Sequence, residues 1–200
     1  MEKSVVFRDF EERDIEFVYK CKNDEDLNRL IVGPFHKFSY EEAVNWVHGC
    51  MGEHENYKFW AACTNDKDKK IIGWISLSNI DKVYQSACLH GIVIGDRDYR
   101  DGYAWIEMSL FMIEYAFEQL NLNRVYGMSL VEHKMSSSMN KLLFMQKEGV
   151  LRQAVYKDGQ FHDLDYVAIL KDEYFSHKKA GDYKLLSIIR SLKQLHKQTK

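Results

Sequence analysis

The 200-residue chain has 46% hydrophobic and 29% charged residues and a formal net charge of −2. This fits one soluble globular domain with a full core, and no apolar run reaches the roughly 20 residues that a membrane-spanning helix needs. The net charge hides an asymmetry. Residues 176–200 hold six Lys and one Arg against one Asp, a net +6, so the preceding 175 residues sum to −8. An acidic body argues against nucleic-acid binding.

In chain order, the opening "MEKSVVFRDFEERD" lacks a long apolar signal core. Val5–Phe10 reads as a strand. Glu12–Leu30 reads as a helix with an irregular middle, ended by "VGPF". Tyr40–Met51 is a second helix, with Ser39 and Glu42 at capping-box spacing. Lys58–Thr64 and Ile71–Ser78 are strands joined by the charged turn "NDKDKK", and Ala87–Ile94 is a third. Trp105–Leu120 is the clearest helix, with Ile106, Leu110, Ile113 and Phe117 along one side. Arg124–Val131 is a strand and Ser136–Lys147 a helix. Leu151–Lys157 and Leu164–Leu170 flank the hairpin signal "KDGQ". The order β-α-α-β-β-β-α-β-α-β-β predicts one mixed α/β sheet.

Cys21, Cys50, Cys63 and Cys88 show no CxxC spacing. They read as reduced, mostly buried thiols of a cytoplasmic protein, with no metal site expected. Beyond "SHKKAGDY", Leu185, Ile188, Ile189, Leu192 and Leu195 fall on one helical face, with Lys184, Arg190, Lys193 and Lys197 largely outside it. Residues 1–175 are therefore expected to form one domain and 176–200 a basic amphipathic helix. The helix is expected to dock on the acidic body or on a second subunit, as in a homodimer. A peripheral membrane or polyanion contact is the less favoured alternative.

The strand "GIVIG", the turn and helix start "DYRDGYAWIEM" and the ending "EGVLRQAVYKDGQFHDLDYVAILKDEY" together resemble the GNAT superfamily of N-acetyltransferases. The likeness spans residues 4 to about 175. The closest branch is the RimJ/RimL type, and acetyltransferases of nucleotide-linked amino sugars are similar. The resemblance implies a single-domain GNAT fold, with a mixed, mostly antiparallel sheet and flanking helices. It implies acetyl-CoA as co-substrate, bound where two strands splay apart. The contacts it implies are Ile92, Val93 and Ile94 on the strand, Arg100, Gly102, Tyr103 and Ala104 in the phosphate turn, and His133 and Asn140 beyond. A helix N-terminus with free N–H groups suits a diphosphate, and glycine there permits close approach and positive φ.

The turn departs from the family's Arg/Gln-x-x-Gly-x-Gly/Ala: Arg100 lies two residues before Gly102 rather than three, and one small residue is missing. Leu89 stands where the family often has a glutamate base, with His90 beside it. His133 replaces an Asn, and Phe144-Met145 replaces Gly-Phe. Ser136 matches a serine proposed as general acid in RimL-type enzymes.

Two readings follow. The first is an N-acetyltransferase that moves acetyl to a primary amine on an amino sugar, another small molecule or a protein N-terminus by direct attack. The second is a GNAT-fold binding or regulatory module that has lost turnover. For catalysis, His90 is the candidate base, unless it packs on the far face of the sheet. His133 either contacts the pantetheine arm and reacting centre or closes a strand end. Ser136 either protonates the departing thiolate or caps its helix. Neutralising a lysine amine of pKa about 10.4 at pH 7 costs roughly 4–5 kcal/mol, against about 1 kcal/mol for an α-amine near 7.7–8.0. Without a carboxylate at Leu89, a low-pKa amine is the favoured acceptor. Trp46, Trp60, Trp74 and Trp105 read as core or pocket wall, with pantetheine cover a second role for Trp105. The family resemblance sets Phe35, His36 and Tyr40 beside the acceptor pocket.

Overall fold

The computed structural model describes residues 4–100, 102–184, 187–188 and 190–191. Strand β1 (Val5–Arg8) leads through a 3-10 turn to α1 (Ile15–Lys22) and the short α2 (Glu25–Asn28). Next come α3 (Tyr40–Cys50), β2 (Lys58–Thr64), β3 (Ile71–Asp81) and β4 (Ser86–Ile94). They are followed by α4 (Tyr103–Glu114), β5 (Arg124–Leu130), α5 (Lys134–Leu142), β6 (Gln146–Lys157), β7 (Gln160–Leu170) and α6 (Lys171–Ala180). The seven strands form one sheet in the order β1-β2-β3-β4-β5-β7-β6. Every neighbouring pair is antiparallel except β4 and β5. This is the expected mixed, mostly antiparallel α/β sheet with flanking helices.

Local chemistry explains most boundaries. The Ser39 hydroxyl accepts from Glu42 N (3.2 Å) while the Glu42 carboxylate accepts from Ser39 N (2.7 Å), closing the capping box of α3. The predicted helix 12–30 breaks after Lys22, and Asp24 caps α2 by accepting from Leu27 N. Asn23 makes the break useful. It donates to the carbonyls of Tyr19 and Phe38 and accepts from Phe38 N, so it pins the end of the 29–38 loop to α1. In the β6–β7 turn, Asp158 and Gly159 take φ of 50° and 82°, the left-handed pair that a two-residue hairpin requires.

One helix ends earlier than its sequence suggests. The predicted 136–147 helix is α5, Lys134–Leu142, and residues 146–157 belong to β6 instead. Phe144 sits at φ 60°, and Met145 N turns back to the carbonyl of Asn140, which stops the helix. Gln146 and Lys147, good helix formers, are captured by ladder pairing with Ala168 and Val167.

The sheet carries two apolar layers. On one face, Trp60, Ile75, Leu77, Val125 and Ile169 pack beneath α4. On the other, Ala61, Cys63, Trp74 and Val93 pack beneath α1 and α3. Arg8 and the buried Asp14 join β1 to the first helical turn by two bonds of 2.7 and 2.8 Å. All four cysteines are free and buried, and burial pushes Cys21 and Cys50 up to about 12 and Cys63 and Cys88 up to about 11. Such thiols are poor nucleophiles and metal ligands at neutral pH. Among the described residues no helix is long and apolar enough to cross a membrane.

Helix α6 runs across position 175, and the chain then folds back on the body. Tyr183 donates to the carbonyl of Leu143 (3.0 Å) and meets Phe144 edge-on, while His177 stacks on Phe144 at 3.9 Å between ring centroids. Ile188, 2% exposed, is buried with Ile106 of α4 and with Met139 and Leu142 of α5. Leu185, Ile189, Leu192 and Leu195 of the expected apolar face lie outside the described residues. Because Ile188 braces α4 and α5 together, Ile188→Ala should destabilise the protein by about 2–5 kcal/mol. Denaturant unfolding would measure it, and an unchanged midpoint would mean that the segment is not anchored there.

Candidate functional site

The only parallel pair in the sheet pairs for just four residues, Ser86–Leu89 against Arg124–Gly127. Beyond that point the strands part company. Val93 and Ile94 stay on β3, while Met128, Ser129 and Leu130 stay on β7. The divergence coincides with an irregularity in β4. Register with β3 shifts between Trp74 and Ser76, and Gly91 takes φ 67°. The Ser76 hydroxyl donates to the carbonyl of His90 and fixes the bulge. The gap between the diverging carboxyl ends of these two parallel strands is the candidate cleft, at the position where open α/β sheets bind ligands.

A helix starts at the end of each strand. After β4, Gly102 at φ 93° is the N-cap of α4 and, as a glycine, brings no side chain of its own to the first turn. After β5, His133 caps α5, its Nδ1 accepting from Ser136 N at 3.2 Å. Neither first turn contains an acidic residue, so both N-termini favour anions.

The expected cofactor residues are divided by this geometry. Ile92 and Ile94 pack toward the α4 layer, whereas the Val93 side chain is buried in the α1–α3 layer, leaving only its backbone for the cleft. Gly102, Tyr103 and Ala104 occupy the cap and first turn of α4, with the Ala104 side chain buried. Arg100 turns back to the strand end, donating to the carbonyls of Ile94 (2.9 Å) and Gly95 (3.0 Å). Its guanidinium is thus held at the mouth of the turn. Asn140 lies half-buried two turns into α5. Trp105 packs with Tyr183 and Ile106.

The catalytic candidates separate by face. Leu89 pairs with Leu77 and packs in the α4 layer, so a carboxylate at 89 would have entered the core. Cys88 and His90 face the other way. That far face is not closed packing: His90 lines a cavity of about 240 Å³ beneath the 29–38 loop. Burial, and then the nearby Lys22 charge, push His90 below its ordinary value, which favours the neutral imidazole. Burial likewise lowers His133. Ser136 is in the first turn of α5 rather than at its cap, the position that His133 takes. Its half-buried hydroxyl has no hydrogen bond among the described residues.

Other walls of the cavity are Phe35, His36 and Phe38, with Lys22 from α1 and Lys157 from the end of β6. Tyr40 packs edge-on against Tyr19 and is half exposed. No signal in the sequence marks either lysine as part of a site. Lys157 lies next to an evident turn and reads as surface, yet it is 4% exposed. Among the described residues no cluster of three His, Cys, Asp or Glu is placed to hold a metal.

A parallel pair splayed at a bulge, with a glycine-capped helix beyond it, is the architecture of an acyl-CoA-dependent transferase. Residues 4–141 match the acetyltransferase (GNAT) domain family, and the chain belongs to it: it is an acetyl-CoA-dependent acetyltransferase. Two uncharacterised N-acetyltransferases of Bacillus subtilis are similar. YoaA is 24% identical, covering 84% of this chain and 93% of its own, and YnaD is 27% identical, covering 86% and 96%. Among solved structures, the spermidine N-acetyltransferase of Vibrio cholerae shares the fold with a TM-score of 0.76 at 20% identity, over 87% of this chain and 99% of that one. A GNAT-family acetyltransferase of Bacillus anthracis superposes with a TM-score of 0.73 at 23% identity, over 86% and 98%.

If the diphosphate sits on the α4 turn, Gly102→Glu should weaken acetyl-CoA binding by roughly 100-fold or more, the loss expected when a carboxylate meets phosphate at close range in an effective dielectric near 20. Gly102→Ala keeps the positive-φ strain without the charge and should lose far less. Titration calorimetry on both variants separates the effects, and unchanged affinity in Gly102→Glu would place the diphosphate elsewhere.

Proposed function

We propose that this enzyme acetylates a low-pKa primary amine, on an amino sugar, another small molecule or a protein N-terminus, in the manner of the RimJ/RimL branch. The observation that carries the proposal is the cavity at the β4 bulge: His90 is in its wall, and no carboxylate is. A neutral imidazole can receive one proton but cannot strip it from an amine of pKa about 10.4 without a large penalty. The branch assignment rests on the β6–β7 hairpin sequence and on Ser136.

The reaction is a direct transfer. Acetyl-CoA lies in the cleft between β4 and β5, its diphosphate on the α4 turn and its thioester at the Gly91 bulge. The neutral amine enters through the 29–38 loop cavity and attacks the thioester carbonyl. The new C–N bond forms, the C–S bond breaks, and the amine proton passes to His90 or to solvent. Ser136, with a hydroxyl that the helix does not use, supplies a proton to the departing thiolate directly or through water. His133 orders this end of the cleft by holding Ser136 N.

With His90 already neutral, kcat/KM should rise with pH through the acceptor's own amine pKa. A sugar amine or α-amine should surpass a lysine side chain at pH 7. A free-thiol release assay across an amine panel measures both. A rate that follows a group at or below about 6.5, and is lost in His90→Ala, would make His90 the obligatory base. Ser136→Ala should lower kcat more than it weakens acetyl-CoA binding, because an acid acts in the transition state. A loss confined to thermal stability would limit Ser136 to a structural part.

A further inference from the structure

The charge of the acceptor cavity is unusual for an enzyme that must admit an amine. Lys157 is 4% exposed, and among the described residues its ammonium donates only to main-chain carbonyls, those of Asn28 (2.9 Å) and Ile31 (2.8 Å). Lys22 projects from the end of α1 onto aromatic faces, its Nζ 4.4 Å from the Trp46 ring, 5.3 Å from Phe38 and 5.7 Å from Trp74. Among the described residues no carboxylate pairs with either ammonium. Two imidazoles complete the titratable set in the walls: His90, and His36, which faces Glu42 at 3.6 Å on the exposed rim. Buried charges are ordinarily paired, because an unpaired ammonium loses its hydration without return. Here a buried ammonium, Lys157, and a half-buried one, Lys22, are held beside the same small space. Burial also drives the Lys22 ammonium down from its ordinary value, which an anion beside it would relieve.

We propose that the acceptor carries an anionic group, a carboxylate or phosphate, beside its primary amine, with Lys22 and Lys157 binding that anion and the amine turned toward His90 at the β4 bulge. The inference rests on the acetyltransferase reading of the cleft and narrows its acceptor. A volume of about 240 Å³ suits a small molecule. A polyamine, cationic along its length, meets like charge at both lysines and finds no carboxylate in the walls. Spermidine, the substrate in the name of the Vibrio cholerae enzyme with the same fold, is thus a poor acceptor here. Lys157 also staples the 29–38 loop over the cavity, so an anion bound there would steady the wall that encloses it.

Matched probes test the assignment: glucosamine 6-phosphate against glucosamine, 4-aminobutyrate against butylamine, and spermidine as the cationic extreme. With CoA present, the anionic member of a pair should raise the melting temperature and its neutral partner should not. With acetyl-CoA, free-thiol release should give the anionic member a kcat/KM at least tenfold higher, and spermidine the lowest. Lys22→Met keeps the aliphatic stem and removes the charge, and it should bring the anionic-to-neutral ratio close to one, mainly through KM. Lys157→Met risks the loop, so Lys22→Met is the deciding variant. Equal values within both pairs, or a preference for spermidine, would overturn the anionic acceptor and leave acetyl transfer standing. A protein that acetylates no amine in the panel but still melts higher with the anionic probes would sink the transfer proposal and keep the anion site. No melting shift with any probe would overturn the anion site by itself.

Discussion

Everything at this site depends on one interruption of hydrogen bonding. Strands β4 and β5 pair for four residues and then separate, because β4 is committed to β3 and β5 to β7. Continued pairing would leave no room for a ligand between them. The bulge at Gly91 makes the separation affordable: it re-aims the strand while the Ser76 hydroxyl satisfies the carbonyl of His90. The same interruption places two helix N-termini at one end of the cleft and exposes His90 beside the gap. The proposed cofactor path, acceptor cavity and base all follow from it.

The acceptor side is built by contacts between remote parts of the chain. The 29–38 loop is held at one end by Asn23, through both the N–H and the carbonyl of Phe38. Near its other end Lys157 holds it from the hairpin, across 129 and 126 residues of sequence. A loop fixed near both ends by polar side chains presents a defined wall, which a specificity pocket needs. The C-terminal segment does similar work behind the cofactor turn, where Ile188 and Tyr183 brace α4 against α5. Phe144 links the two regions: a non-glycine residue at positive φ is strained, and its stack on His177 offsets that cost.

Electrostatics divide the site by function. The proposed cofactor end uses backbone: the first turns of α4 and α5, neither with an acidic residue. The proposed acceptor end uses side chains: two lysines with carbonyl and aromatic partners and a histidine whose pKa is lowered by its surroundings. The main body is nonetheless acidic by composition. The positive cavity is therefore a local arrangement that net charge conceals.

The sequence by itself determined what depends on neighbours in the chain. The capping box at Ser39 and Glu42, the two-residue turn at Asp158 and Gly159, and a glycine at the left-handed start of α4 are all local geometry, legible from residue type and spacing. The succession of strands and helices was legible for the same reason, as was the cleft, through the family resemblance of "GIVIG" and the turn after it. Tertiary structure decided the rest. Gln146 and Lys147 favour helix locally, yet β7 offers them ladder bonds and they become strand. The side on which His90 falls depended on which helices cover which face of the sheet. Lys157 became a cavity wall only because a hairpin turn meets a loop far away in sequence. Such contacts carry no local signature: their energy comes from burial and from hydrogen bonds to backbone groups, which any residue type presents.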